Sequence, residues 1–309
     1  MGEWLESLMP WGTDVLVAIQ SYSSEWLVAF FTFFTYLGRE EVYLGLVALI
    51  FWCVDRQIGI GLAYLSLLSA WINNALKYLF AIPRPSDPRL VIPLPETSPS
   101  FPSGHAQSAL ANWGYLALRF RNRILWAAVI IVIVGIGLSR LVLGVHFPQD
   151  VIGGWLIGLV LLVVYAWAEM PVRRWVGGQK TMVQLVLAIG VPLLLLFLHP
   201  VDTEGLYPAK AAIMPTSAMV GLGIGLIMER AWVRFTVDGE WWRRGLRYLL
   251  GVILVGIVYL GPKLILHEEM PYSLEATARF VRYALVGWVG AFLGPWLFVR
   301  LRLAGQAQP

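Results

Sequence analysis

Apolar residues along the chain fall in long unbroken runs, and polar residues are confined to the short intervals between them. A membrane barrel would show alternation over segments of about ten residues, so continuous runs predict helices. A helix needs roughly 20 mainly apolar residues to cross a bilayer, and fewer where its neighbours or local thinning compensate. Ten helices are expected on that rule, at about residues 24–37, 40–54, 57–81, 104–119, 123–144, 148–169, 181–198, 210–229, 243–266 and 276–300. Residues 12–20 read as an amphipathic helix lying on the membrane surface. The expected fold is all-α, a polytopic bundle of about ten transmembrane helices.

Two interruptions organise the runs. Residues 83–102 hold seven of the eighteen prolines, which stop the preceding helix and stiffen an irregular loop. Arg173 and Arg174, followed by Gly177 and Gly178, separate six helices from four. The expected segments are therefore an interfacial stretch over 1–23, a six-helix core over 24–172 and a four-helix extension over 173–309. The amino terminus carries Glu3 and Glu6 where a secretory signal would be basic, so no cleaved leader is expected. Small residues Gly221, Gly223 and Gly225 predict close helix packing in the extension.

Composition agrees with the pattern. Only 14% of the 309 residues are charged and 58% are hydrophobic, with a mean hydropathy of +0.69, far from the roughly 25% charged of a soluble domain. Fifteen Trp and twelve Tyr suit the headgroup level of a bilayer. Cys53 is the only cysteine, which excludes an intrachain disulfide. The net charge of +4 would raise nucleic acid as a partner for a soluble chain, but the basic residues lie between apolar runs and read as topology. Fourteen Lys and Arg fall on the side that holds both termini and nine on the other, so the first side is expected to be cytoplasmic and the proline loop to face outward.

That outward side also gathers the costly polar groups: Lys77, Arg84, Ser103, His105, Ser139, Arg140, His146 and Asp150. Ionisable residues at membrane depth are functional by default. Three cations and two histidines in one outward pocket imply an anionic ligand. His146 and Asp150 stand four apart at a helix start and share a face, so the carboxylate can hold one imidazole nitrogen while the other attacks. Lys77, Arg84 and Arg140 can neutralise the three equatorial oxygens of a phosphoryl group in an in-line transition state. Ser103 and Gly104 open a helix whose free N–H groups can approach the same phosphate. His105 remains for the proton, giving it to a leaving alkoxide and later taking one from water. Singly, Asp150 would be a helix-dipole acid, the cations snorkelling anchors and Ser139 a packing hydroxyl; their shared side and spacing favour the site.

The spacings Lys77 to Arg84-Pro85, Pro102-Ser103-Gly104-His105, and Ser139-Arg140 to His146 to Asp150 resemble the type 2 phosphatidic acid phosphatase (PAP2) superfamily, shared with vanadium haloperoxidases. Its pattern is K-x6-RP, PSGH and SR-x5-H-x3-D, and all eleven specified positions match. The resemblance covers about residues 38–158 and leaves the last four helices outside. It implies an integral membrane enzyme that hydrolyses a lipid phosphate through a phosphohistidine, with no cofactor and no metal. The ten-span layout and Gly38-Arg39-Glu40-Glu41 are similar to the sphingosine-1-phosphate phosphatase branch, whereas PSGH suits a bacterial lipid or polyprenyl phosphate phosphatase equally. A phosphotransferase, a glucose-6-phosphatase-like enzyme and, from another class, a lipid transporter or scramblase are the alternatives. A transporter has no need of His146, Asp150 and His105 together, and no clear inverted repeat is visible.

Elsewhere on the outward side, His199, Asp202, Glu204 and Lys210 read as solvated loop residues, and Arg279 and Arg282 as candidates for lining a headgroup pocket. His267-Glu268-Glu269 lacks a second histidine at ligand spacing, which argues against a metal there.

Overall fold

The structure is a computed structural model that describes residues 2–202, 204–261 and 271–307. Its helices are α1 (Gly2–Ser7), α2 (Met9–Ser21), α3 (Glu25–Leu37), α4 (Glu40–Leu49), α5 (Arg56–Phe80), α6 (Gly104–Phe120), α7 (Arg123–Val142), α8 (Pro148–Gly177), α9 (Thr181–Leu198), α10 (Lys210–Trp232), α11 (Trp241–Leu260), α12 (Tyr272–Trp288) and α13 (Gly294–Arg300). Wide π turns at Ile50–Val54 and Val289–Leu293 extend α4 and join α12 to α13. The expected helices begin within a few residues of elements α3 to α12, while α8 runs eight residues past its expected end. Among the described residues the only departure from an all-helical fold is a two-residue antiparallel pair, β1 (Phe235–Thr236) with β2 (Gly305–Gln306).

Six helices are long and apolar enough to cross a membrane among the described residues: Arg56–Phe80, Arg123–Val142, Pro148–Gly177, Thr181–Leu198, Lys210–Trp232 and Tyr272–Arg300. The other expected spans fall short for local reasons. α3 has 13 residues and α4 has 10 before its π turn. α6 carries Gln107 and Asn112, and α11 opens on Arg243, Arg244 and Arg247. α8 runs on past its expected end through Pro171, a residue that membrane helices tolerate when the freed carbonyl finds another partner. The expected tail of α11 beyond 261, and the His267-Glu268-Glu269 stretch, lie outside the described residues.

Contacts divide the chain into two compact units, Met1–Tyr43 with Leu68–Ala168, and Leu44–Leu67 with Glu169–Pro309. In the first unit α3 lies on α7 through Phe34, which meets Ala109 and Ile136 and sits over Gly135. α8 reaches α6 closely because Gly154 and Gly158 have no side chains. A Cβ on either would stand 2.6 Å from a carbonyl oxygen of Ser103 or Gln107, so the two helix backbones touch as small-residue membrane interfaces do. The helix expected over 12–20 exists as α2; Leu16 on it is fully buried with Leu90 and Phe147, and the Gln20 side chain bonds the backbone of Val91 and Val142.

In the second unit, a Cβ on Gly221 would meet Ala284 O at 1.8 Å and one on Gly287 would meet Ala218 O at 2.4 Å, so α10 and α12 pack backbone to backbone. Glu229, fully buried, is paired with Arg56 and accepts the Phe235 N–H. Arg247, also fully buried, donates to the carbonyls of Thr236, Val237 and Asp238 and so holds the turn after β1.

Candidate active site

The first two cations come from the end of α5 and the loop beyond it. Lys77 lies in the last turn of α5, buried, and its ammonium donates to Ser98 Oγ at 3.3 Å and to the Pro99 carbonyl. Pro83 and Pro85 keep the chain after Phe80 from continuing as helix. Arg84 therefore projects from extended backbone, and its guanidinium is almost fully engaged. Nε donates to Ser98 O (2.6 Å), Nη1 to Val145 O (2.7 Å) and Nη2 to Glu96 Oε2 (2.6 Å). The same Nη1 lies 3.2 Å from His146 Nε2.

α6 opens beneath them. Ser103 is its N-cap, with Oγ 3.5 Å from the Ala106 N–H, and its own N–H donates to Asp150 O at 3.0 Å. Gly104 follows where a Cβ would stand 2.9 Å from Asn73 Oδ1. Asn73 in turn donates to Pro102 O and Gln107 Oε1, and Gln107 donates to Ser69, a buried polar chain that ties the α6 start to α5. His105 occupies the second position of α6, its ring directly against Gly38, where a Cβ would stand 2.7 Å from His105 Cδ2. It lies in the electrostatic field of Arg140, Glu96, Arg84 and Lys77.

The third group is built at the join of α7 and α8. Arg140, 1% exposed, donates through Nη1 to Thr35 Oγ1 at 2.9 Å and through Nη2 to Glu96 Oε1. Thr35 Oγ1 also lies 2.8 Å from Ser139 Oγ, and the Ser139 hydroxyl meets Ile136 O at 2.7 Å, so Ser139 supports the arginine's neighbour. Gly144, at φ +67°, turns the chain between the helices in a conformation that costs glycine nothing. Pro148 then starts α8, where its missing N–H is no loss. Asp150, two residues on, reaches back to accept the Phe147 N–H at 2.9 Å, as the third residue of a capping box does. The same Oδ2 lies 3.3 Å from His146 Nδ1. Carboxylates only accept, which assigns the proton to Nδ1 and leaves the lone pair on Nε2.

His146 lies between the two helices, 1% exposed. Burial first, then the fields of Arg84, Lys77 and Arg140, hold its pKa well below the ordinary histidine value of 6.5. The ring is therefore neutral at physiological pH, as a nucleophile must be.

Every expected site residue falls in one unit: Lys77, Arg84, Ser103, Gly104, His105, Arg140, His146 and Asp150. Ser103 stands as the expected cap at the start of α6. Two residues outside the expected set belong to the same cluster. The Glu96 carboxylate bridges Arg84 and Arg140, one oxygen to each. Burial pushes Glu96 up, but Arg140 and Arg84 outweigh it and hold the carboxyl below its ordinary value. Ser100, fully buried, donates to Asp150 Oδ2 at 2.5 Å. Both sit in the proline loop, where a lone acid or serine among polar neighbours carries no periodic signal.

Arg279 and Arg282 lie in the other unit. Arg279 is paired with Glu275 at 2.7 Å, and the Arg282 guanidinium lies over the rings of Tyr259 and Tyr283. Of the residues expected in solvated loops, His199 is 3% exposed, with Nδ1 2.8 Å from Pro200 O. Asp202 organises its own turn by accepting the N–H groups of Glu204 and Leu206.

Two family models match the chain: the PAP2 superfamily over residues 58–173, and the PAP2 superfamily phosphatase transmembrane extension over residues 213–306. The chain is 33% identical to an undecaprenyl-diphosphatase of Sulfolobus acidocaldarius, over 46% of this chain and 71% of that one. It is 25% identical to a dihydrosphingosine 1-phosphate phosphatase of Schizosaccharomyces pombe, over 69% of this chain and 55% of that one. It is also 25% identical to a glucose-6-phosphatase 3 of Bos taurus, over 99% of both chains. The chain thus spans little more than half the length of the S. pombe relative. The chain belongs to the PAP2 superfamily, and its multi-pass membrane character agrees with its apolar helices.

Proposed function

We propose that the protein is an integral membrane phosphatase that hydrolyses a lipid phosphate through a phosphohistidine at His146, without a metal. The observation that carries this reading is the setting of the His146 ring. Nδ1 is held by Asp150, and Nε2 faces Arg84 beside two further cations. Nε2 attacks phosphorus in line, and the P–O bond to the lipid breaks as the N–P bond forms. Lys77, Arg84 and Arg140 bind the three equatorial oxygens while charge spreads over them. His105 gives a proton to the leaving alkoxide, then takes one from the water that attacks the phosphohistidine and releases inorganic phosphate. The three cations do the work a metal clamp would otherwise do.

The ten helices all cross the bilayer in this reading, with the short ones accommodated by their neighbours. The positive-inside count puts both termini in the cytoplasm and the site at the outer face of a cell membrane. The six-helix core over 24–172 carries the chemistry in this reading. The Sulfolobus and S. pombe relatives are named for a polyprenyl diphosphate and a sphingoid phosphate. Both names pair a terminal phosphate with a long apolar chain, which suits a headgroup entering laterally from the interface.

A second reading, a glucose-6-phosphatase-like enzyme, is favoured by the Bos taurus relative, which aligns along nearly the whole of both chains. Phosphate release by purified protein from a panel of polyprenyl, sphingoid and diacyl phosphates and glucose-6-phosphate separates the two, with His146→Ala as control. The lipid phosphates should be cleaved with much the higher catalytic efficiency. If glucose-6-phosphate is the best substrate, the second reading replaces the first.

A further inference from the structure

The geometry points to Ser100 as a positioning residue, the third member of a Ser100–Asp150–His146 hydrogen-bonded chain that aims His146 Nε2 at phosphorus. This rests on the proposed role of His146 as nucleophile. Ser100 is fully buried, and its hydroxyl donates to Asp150 Oδ2 at 2.5 Å. It also lies 3.4 Å from His146 Nδ1, so it stands beside the contact it supports.

The chemistry of the carboxylate explains what Ser100 adds. Asp150 Oδ2 takes the Phe147 N–H, the Ser100 hydroxyl and the His146 Nδ1–H, whereas Oδ1 is buried without a hydrogen-bond partner. A carboxylate held only by the backbone of its own helix can rotate and offer either oxygen. The serine, coming from a different segment, fixes which oxygen meets the imidazole. Either oxygen would accept the Nδ1–H and leave the lone pair on Nε2, so what the choice of oxygen fixes is where the ring sits and therefore where Nε2 points.

The backbone holds the serine in place from both sides. Its own N–H donates to Ile82 O at 2.7 Å, two residues before Arg84, and three residues on the Ser103 N–H donates to Asp150 O at 3.0 Å. The segment from 100 to 103 therefore bonds the loop that bears Arg84 to the helix that bears Asp150. A shift of either would be felt at Ser100.

The test is steady-state phosphate release by the full-length protein in detergent micelles, comparing Ser100→Ala, Ser100→Thr and Ser100→Cys. Ser100→Ala should lower kcat by roughly ten- to hundredfold, the scale on which loss of an outer partner of a metal-bound histidine acts, and by less than loss of the Asp150 carboxylate itself. KM and the inhibition constant for orthovanadate should hardly change, because Ser100 does not touch the phosphate. Ser100→Thr keeps the hydroxyl and should recover most of kcat. Ser100→Cys keeps the shape with a weaker donor and should fall between, which keeps the proposal testable if the alanine variant does not fold. In an Asp150→Asn background, Ser100→Ala should cost little more, because the serine acts only through Asp150.

Wild-type kcat in Ser100→Ala or Ser100→Cys overturns the proposal, as does a loss that multiplies in full with that of Asp150→Asn. These failures are distinct from failure of the nucleophile assignment, which would appear as activity retained by His146→Ala.

Discussion

Glu96→Gln tests how the phosphate seat is held before a ligand arrives. The wild-type carboxylate spans Arg84 and Arg140, one oxygen to each, and its side chain is 31% exposed while those of the arginines are 11% and 2% exposed. It is the accessible, exchangeable member of a buried cluster. A phosphoryl group that needs both guanidinia must displace it. Charge-assisted hydrogen bonds contribute about 1.5–3 kcal/mol each when buried, and solvent at a part-exposed carboxylate reduces that. A net preference of about 1–2 kcal/mol for the bridged state would populate it roughly 5- to 30-fold over the open one. An internal competitor raises every apparent dissociation constant by the same factor. Glutamine, which carries no charge, should lower KM, the inhibition constant for orthophosphate and that for orthovanadate together, by a common factor of roughly 5 to 30. The assay is inhibition of phosphate release by the two anions at fixed pH and ionic strength. Glu96→Asp keeps the charge but is too short to bridge, so it should show much of the same gain, whereas simple repulsion of the ligand predicts none. Constants that rise in Glu96→Gln, or fall by unrelated factors, would refute the displacement argument.

Further predictions follow from the same geometry. The acid limb of kcat/KM should lie below pH 6.5, because burial and three cations hold His146 deprotonated until well under its ordinary value; a limb at or above 6.5 contradicts the assignment. Orthovanadate should inhibit competitively and a metal chelator should not, since a five-coordinate oxyanion on Nε2 mimics the transition state and the cations replace a metal. Activity lost on chelation and restored by magnesium would show that account to be wrong. Gly154→Leu should abolish folding or activity, because even a Cβ there would stand 2.6 Å from Ser103 O. A fully active, equally heat-stable leucine variant would mean that α6 and α8 are not packed backbone to backbone.

The helices were legible because continuous apolar runs have one solution in a bilayer, and prolines and arginine pairs mark their ends. That the candidate site residues meet was legible for a related reason. His146 and Asp150 are four residues apart on one helix start, and Lys77 and Arg84 flank one helix end, so local spacing already implies a shared location. What escaped is non-local or irregular. Ser100 bonds Asp150 across 50 residues, and Thr35 supports Arg140 across 105. Both contacts exist only once α3, α7, α8 and the proline loop are packed. Glu96 sits in that loop, where no period distinguishes a bridging acid from a solvated one. α2 reads as amphipathic from its own residues, and only the tertiary pocket of Leu90 and Phe147 shows that Leu16 is core. Ten crossings were expected and six helices among the described residues are long and apolar enough to cross, because Gln107 and Asn112 in α6 and the arginine-rich start of α11 lower the hydropathy of those helices.

The central claim is a covalent bond between phosphorus and His146. Purified protein mixed with a phosphate-labelled lipid substrate and denatured within the first turnover should retain label on the protein. That label should be stable to base, released by acid and mapped to the peptide containing His146. It should be absent in His146→Ala, and in His105→Ala it should accumulate if the first step still proceeds, because the water that clears it lacks its base. Label on another residue, or on His146→Ala, would contradict the account.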